Sequence, residues 1–243
     1  MPELPEVETI RRQLEPLIVG KTISSIEVFL KKSFIGETKD LIGKKIIRIE
    51  RKGKILQLNF ERPGLSASKG RALKRQIGLY IHLRMSGQLL FSNQPQKVSP
   101  FEARKHKHLR ITIHFTNQSQ LHFIDQRTFG FITTNPNVIP QGIDALDPAL
   151  TIDKLSTILK STGRPIKQIL LDQNLIAGIG NIYAGEILWE AKIDPAVKGD
   201  SLLQGRTLIQ AIRKILFEAI KHGGSTMNDQ LYRHVRGEAG GYQ

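Results

Sequence analysis

The hydrophobic period of this chain changes once, and that change constrains its architecture more than any other feature. Up to about residue 134, apolar side chains alternate: Ile26, Val28 and Leu30; Leu56, Leu58 and Phe60; Ile77, Leu79, Ile81, Leu83 and Met85; Leu109, Ile111, Ile113 and Phe115. Period two marks half-buried antiparallel strands. After about residue 150 the spacing becomes helical: Leu155, Ile158 and Leu159; Ile166, Ile169 and Leu170; Ile187, Leu188 and Ala191. A longer run, Leu208, Ile212, Ile215, Leu216 and Ala219, ends at "HGG", a helix-terminating signal. Between the two regimes lies "NPNVIPQGIDALDPAL", whose Pro, Gly, Asn and Asp content reads as a linker. One further helix is expected at the start, where Val7, Ile10, Leu14 and Leu17 share a face and Pro5 suits a first turn. The expectation is a multidomain α+β protein. It has an N-terminal antiparallel β-sandwich domain with flanking helices over 1–134, a linker over 135–150, and an all-α domain over 151–243. A groove between the two domains follows from that division. "RPGLSASKGRALKR" (62–75) reads as a mobile basic loop, and no internal repeat is evident.

Charge narrows the partners. With 36 Lys plus Arg against 22 Asp plus Glu, the formal balance is +14, which favours polyanions, nucleic acid first and anionic membrane second. No apolar run has the length of a membrane span. There are no cysteines, so disulfides and thiolate zinc sites are excluded, in keeping with a reducing compartment.

The first residues carry candidate chemistry. "MPELPEVETI" is acidic and holds two prolines, unlike a leader with a basic start and an apolar stretch, so it is expected to be part of the working molecule. Removal of Met1 would expose Pro2 as a secondary amine. An α-amino group has a pKa of about 8, against about 10.4 for lysine, so a useful fraction is neutral at cellular pH. Attack by such an amine on a carbonyl-level carbon gives an iminium, an electron sink. Glu3 would adjoin that nitrogen and could move protons, and Glu6 falls where a helix dipole favours negative charge. The plainer alternative is that Pro2 and Pro5 stiffen the start of a helix.

A series of motifs extends this reading. "MPELPEVETIRR", "RKGKILQL", "HLRMSGQL", "RKHKHLRI", "FIDQRTFGF", "IKQILLDQNLIAGIGNIYAGEILWEAKIDP" and "GGST" occur in this order from residue 1 to about 242. Together they resemble the formamidopyrimidine-DNA glycosylases, bacterial repair enzymes that remove oxidised purines. "PELP" rather than "PEGP" looks like the oxidised-purine branch, not the endonuclease VIII branch. The resemblance implies a helix-two-turn-helix arrangement for the C-terminal half. Pro2 would be the nucleophile toward sugar C1′, and Glu3 the acid that helps open the sugar ring. Lys54, on a strand hairpin, would hold a phosphate or the lesion's edge. It further implies Met85, Arg127 and Phe129 as groups that fill the gap left by an extruded nucleotide. Lys167 and Asn181 would be backbone-phosphate contacts, with Asn181 also capping its helix. Residues 225–242 correspond to a loop that closes over the extruded base, and Gly237, Gly240 and Gly241 suit a mobile lid. Taken by periodicity alone, Met85 and Phe129 could equally be core, and Lys54 a solvated surface charge. Glu186 is as ready to brace the site as to act in it.

The sequence departs from the family at three places. Thr128 stands where many relatives have a second arginine, and the residues around Leu231 to His234 differ in the lid. Family members bind one zinc ion through a four-cysteine finger that this sequence, ending at Gln243, does not contain. His106, His108, His114 and His122 read as strand-face residues near phosphate rather than as metal ligands; His106 is the one assigned to DNA contact, and no metal is expected. The expected activity is excision of oxidised purines from duplex DNA with strand cleavage at abasic sites. The alternatives are a DNA-binding module of the same fold and an oxidised-pyrimidine glycosylase. Double-stranded DNA is the expected partner, a monomer the expected state, and the bacterial cytoplasm the expected location.

Overall fold

A computed structural model describes residues 1–61, 78–93, 107–226 and 232–242. The chain starts with helix α1 (Leu4–Ile18), where Pro5 sits in the first turn, a position that needs no donated N–H. Its apolar stripe is split between two cores. Leu4 packs with the C-terminal helices, whereas Val7, Ile10, Leu14 and Ile18 pack with the strands.

The strands are β1 (Ile23–Val28), β2 (Phe34–Ile35), β3 (Ile46–Lys52), β4 (Ile55–Phe60), β5 (Gly78–His82), β6 (Gly87–Ser92), β7 (Leu109–Phe115), β8 (Gln120–Asp125) and β9 (Phe131–Thr133). They form a four-stranded sheet, β1-β7-β8-β6, and a five-stranded one, β2-β9-β5-β4-β3. All pairings within these sheets are antiparallel except β2 with β9, which is parallel. Strand β4 is buried along nearly its whole length rather than on alternate residues, because α1 packs against β3 and β4. The core between the sheets holds Phe60, Leu79, Ile81, Leu89, Ile111, Ile113 and Phe123.

The stretch read as a linker is structured. Its Ile143–Asp144 forms β10, paired in parallel with β11 (Ile176–Ala177) from the helical half. The helices are α2 (Ile152–Lys160), α3 (Ile166–Leu171), α4 (Asn181–Ala191) and α5 (Gly205–Lys221), and their buried faces carry the residues picked out by periodicity. The architecture is therefore a β-sheet domain followed by a helical one.

The segment expected to be a mobile lid is tied down over 232–242. The Phe91 N–H donates to the Val235 carbonyl and the Tyr242 N–H to the Gly224 carbonyl, both at 3.0 Å, and the Val235 N–H donates to Gln13 Oε1 at 3.2 Å. Tyr232 and Val235 are buried in the strand-side core. A side chain at Gly240 would run into the Gly224 carbonyl, so close backbone approach requires a glycine here. The basic loop 62–75, Ile77, His106 and Leu231 lie outside the described residues.

Candidate active site

The start of α1 is held by the far end of the sequence. Glu3, 1% exposed, accepts the Gly180 N–H at 2.7 Å, the Ile182 N–H at 3.0 Å and the Tyr183 N–H at 3.4 Å. These amides form the N-terminus of α4, whose first N–H groups have no partner within the helix and whose dipole favours a negative charge. Asn181 was expected to cap this helix. Instead Gly180 precedes α4 in extended conformation and Asn181 is its exposed first residue. The cap is not needed from Asn181 because the Glu3 carboxylate occupies its place. A Cβ at Gly180 would overlap that carboxylate, which explains the glycine.

Glu6, 2% exposed, completes the anchor. It accepts from the Tyr183 hydroxyl at 2.6 Å, the Ser225 N–H at 2.9 Å and the Glu3 N–H at 2.7 Å. Burial raises its pKa above the ordinary carboxylate value, and these hydrogen bonds oppose the rise. The Tyr183 phenol is pushed up by burial and by the neighbouring Glu6. Tyr183 was not singled out by sequence reading, although it lies within "GIGNIY".

Lys54 sits at the turn between β3 and β4, next to Gly53, whose φ of +56° lies in the left-handed region. The Gly53 tip abuts the Ala177 side chain and the Gly178 backbone, and Lys54 is a buried residue rather than a solvated one. Burial lowers its pKa, and the Glu3 and Glu6 charges oppose that shift. The register Ile55↔His82 sets His82 beside this turn. Burial, then the Arg84 and Lys54 charges, drive the His82 imidazole down to about 3, so it is neutral at physiological pH. Met1, Lys54, His82, Arg84, Phe131, Gln173 and Asn174 line a cavity of about 410 Å³, within the range of small-molecule sites. Met1 is 41% exposed whereas Pro2 is buried. The peptide bond at the Pro2 nitrogen thus carries a residue that lies in this cavity. His82 and Arg84 are additions to the sequence reading; both lie within the "HLRMSGQL" motif, where their side-chain chemistry was the available signal.

The hairpin is positioned by a buried ion network. Arg51 donates to Asp144 at 2.5 and 3.1 Å, to Glu8 at 3.1 Å and to the Gly53 carbonyl at 3.0 Å. Asp144 also accepts the Gly53 N–H at 2.7 Å. A residue of the supposed linker therefore fixes the turn that carries Lys54.

Met85 is half-buried in the turn between β5 and β6, outside the strand and outside the core cluster. Arg127 and the 56% exposed Phe129 occupy the turn after β8, with the guanidinium 5.7 Å from the ring centroid. Thr128 accepts from Lys32 Nζ at 2.7 Å. Lys167 is not brought to this cluster. Its N–H donates to the Pro195 carbonyl at 3.3 Å, and its side chain lines a separate pocket with Trp189 and Lys192. That is the opposite end of α4 from Asn181, about 16 Å away at 1.5 Å per residue. Glu186 is exposed on α4. His114 pairs with Glu27 at 2.9 Å, and His122 bonds Thr112 at 3.0 Å. No group of three or more metal-binding side chains exists among the described residues, and a four-thiolate zinc centre has no donors in a sequence without cysteine. No helix among the described residues is long and apolar enough to cross a membrane.

Comparison with known proteins gives the same answer across the chain. The formamidopyrimidine-DNA glycosylase N-terminal domain matches residues 1–132, and the H2TH domain of the same glycosylase matches residues 141–230. The formamidopyrimidine-DNA glycosylase of Enterococcus faecalis is 38% identical over 258 residues, covering 100% of this chain and 84% of the relative. That of Corynebacterium glutamicum (strain R) is 36% identical over 256 residues, covering 99% and 85%. Among solved structures, the MutM (Fpg) protein of Thermus thermophilus superposes with a TM-score of 0.81 at 34% identity, covering 100% of this chain and 85% of that one. The Lactococcus lactis Fpg complex with abasic-site DNA gives 0.79 at 31%, covering 99% and 85%. A complex of the same enzyme with DNA containing an oxidised pyrimidine gives 0.79 at 32%, covering 98% and 84%. The fold, the arrangement at its N-terminus and these matches together make this chain a member of the formamidopyrimidine-DNA glycosylase family.

Proposed function

We propose that this protein is a DNA glycosylase that excises oxidised purines from duplex DNA and cleaves the strand through a Schiff base on Pro2. After Met1 is removed, the Pro2 nitrogen lone pair attacks sugar C1′. The C1′–base bond breaks, and the base leaves with the electron pair of that bond and takes a proton from water. The Glu3 carboxylate takes the proton that the Pro2 nitrogen loses on attack and passes it to the ring oxygen as the sugar opens, giving an iminium between Pro2 and C1′. The iminium acidifies the C2′ proton; its loss expels the 3′ phosphate, and a second elimination expels the 5′ phosphate. Lys54 holds the negative charge of a phosphate near the reacting sugar. Met85, Arg127 and Phe129 fill the space left by the extruded nucleotide, as wedge residues do when a base is taken from the stack. Asn181, exposed at the start of α4, faces the DNA backbone. Lys167 meets phosphate farther along the helical domain.

One observation carries this reading. Met1, which is bonded to the Pro2 nitrogen, borders a cavity walled by Lys54, His82 and Arg84, while Glu3 and Glu6 are anchored to α4. The test is borohydride trapping of the processed protein on abasic and 8-oxoguanine duplexes, with mapping of the modified peptide. An adduct on Pro2 supports the proposal. An adduct on Lys54, whose lowered pKa also suits a nucleophile, would reassign the chemistry. DNA binding without any adduct would leave a binding module. Because a family member has been solved with an oxidised pyrimidine, thymine glycol belongs on the same substrate panel, with 8-oxoguanine expected to be excised faster.

A further inference from the structure

We infer that Asp125, acting with Ser86, is a positioning residue that joins the Met85 turn and the Arg127–Phe129 turn into one preformed wedge. The inference rests on the gap-filling role proposed above and deepens it.

Asp125 ends β8 and is 0% exposed. A buried carboxylate is unfavourable unless its oxygens are bonded, and this one is met by neutral donors from both turns. Oδ1 accepts from the Ser86 hydroxyl and from the Arg127 N–H at 3.2 Å; Oδ2 accepts from the Gly130 N–H at 2.7 Å. The Arg127 N–H also donates to Ser86 Oγ at 2.9 Å. One carboxylate thus grips the first and last residues of the Arg127–Gly130 turn and the neighbour of Met85.

Both turns contain an L-residue in the left-handed region, Arg84 at φ +54° and Thr128 at φ +59°. A β-branched residue is rare there, and such backbone persists where its surroundings over-determine it. The tight turns also admit no side chain at Gly87, where a Cβ would strike the Leu83 carbonyl. What the strained backbone achieves is display: Phe129 projects into solvent with the Arg127 guanidinium on its ring. Holding both loops in advance removes the ordering that entry into a base stack would otherwise require.

The test compares wild type with Asp125→Asn and Ser86→Ala on a duplex containing a tetrahydrofuran abasic analogue beside 2-aminopurine. This duplex cannot form the Schiff base, so the readout is independent of the chemistry. The control is the same analogue in a bulge that is already unstacked. Both variants are expected to bind the stacked duplex about tenfold more weakly, the scale of one buried hydrogen bond to a charged acceptor. They should also lose the 2-aminopurine brightening of wild type and bind the bulged duplex unchanged. Equal weakening on both duplexes would make Asp125 merely structural, and no change on either would remove its role; both results overturn the inference. Ser86→Ala deletes only a hydroxyl and decides the matter should Asp125→Asn fail to fold. If wild type itself produced no brightening, the gap-filling role would fall, a result distinct from brightening that the variants retain.

Discussion

The Glu3 carboxylate accepts the Gly180 N–H at 2.7 Å, and these residues lie 177 positions apart in sequence. The pair makes the geometry of the chain's first residues dependent on a helix in the other domain. Glu3→Gln keeps the shape and removes the charge from the helix terminus, so it should destabilise the fold by about 1–2 kcal/mol. Gly180→Ala places a methyl group where the carboxylate lies and should cost more, about 2–3 kcal/mol, as overpacking does. Urea midpoints check that order, and both variants should lose covalent trapping.

His82 predicts an acid-sensitive fold. Its pKa is depressed to about 3 in the native state from an ordinary 6.5, so the native state excludes a proton that the unfolded chain binds. The stabilising contribution is present above pH 6.5 and is lost as pH falls toward 3, by at most about 1.4 kcal/mol per pH unit. Thermal midpoints of wild type should drop over that window more steeply than those of His82→Asn. Parallel curves would mean that the imidazole is protonated at the surface.

Glu6 should act with the opposite sign. Its carboxyl is raised above 4.5, chiefly by burial, so the native state holds a proton longer than the unfolded chain. That stabilisation is full below pH 4.5 and declines as pH rises through the raised value. Glu6→Gln removes the titration, and its melting temperature should change less than that of wild type across this range. Scanning calorimetry of the two proteins in matched buffers measures the difference in slope.

The Arg51–Asp144 pair should be sensitive to loss of one partner. Asp144→Ala leaves Arg51 with the Glu8 carboxylate and the Gly53 carbonyl and frees the Gly53 amide, and removing one member of a buried pair costs about 3–5 kcal/mol. Denaturant unfolding gives the size. Faster labelling of Lys54 by an amine reagent would report that the turn has loosened, and unchanged labelling would detach Asp144 from the placement of Lys54.

Local pattern carried much of this fold. The stripes Leu155–Leu159, Ile166–Leu170 and Leu208–Ala219 lie on α2, α3 and α5 as their spacing requires, because one face of a short helix is decided within a turn or two. The strands of 109–115 and 55–60 were equally legible. Long-range polar bonds were not. Nothing near Asn181 in sequence signals that Glu3 will cap its helix, and nothing in "GIDALDP" announces that Asp144 will meet Arg51, 93 residues away. The glycines of the last segment looked like hinges, yet Gly240 is a contact point between two backbones. Pro2, Glu3 and Glu6 are read from the chemistry of the opening residues and Lys54 from a motif that resembles a known family; the places of His82 and Tyr183 beside them follow from strand register and helix packing.

Leu4 belongs to the helical core while Val7, one turn later, belongs to the strand core. The opening turn of α1 is therefore a rivet through two plates. Synthesis delivers this end of the protein first, but its burial site is assembled from residues made much later. A nascent chain with only the strand half in hand would have the front of α1 unseated and its two acids still in water. Glu3 and Glu6 are consequently seated only once the helical half has been made.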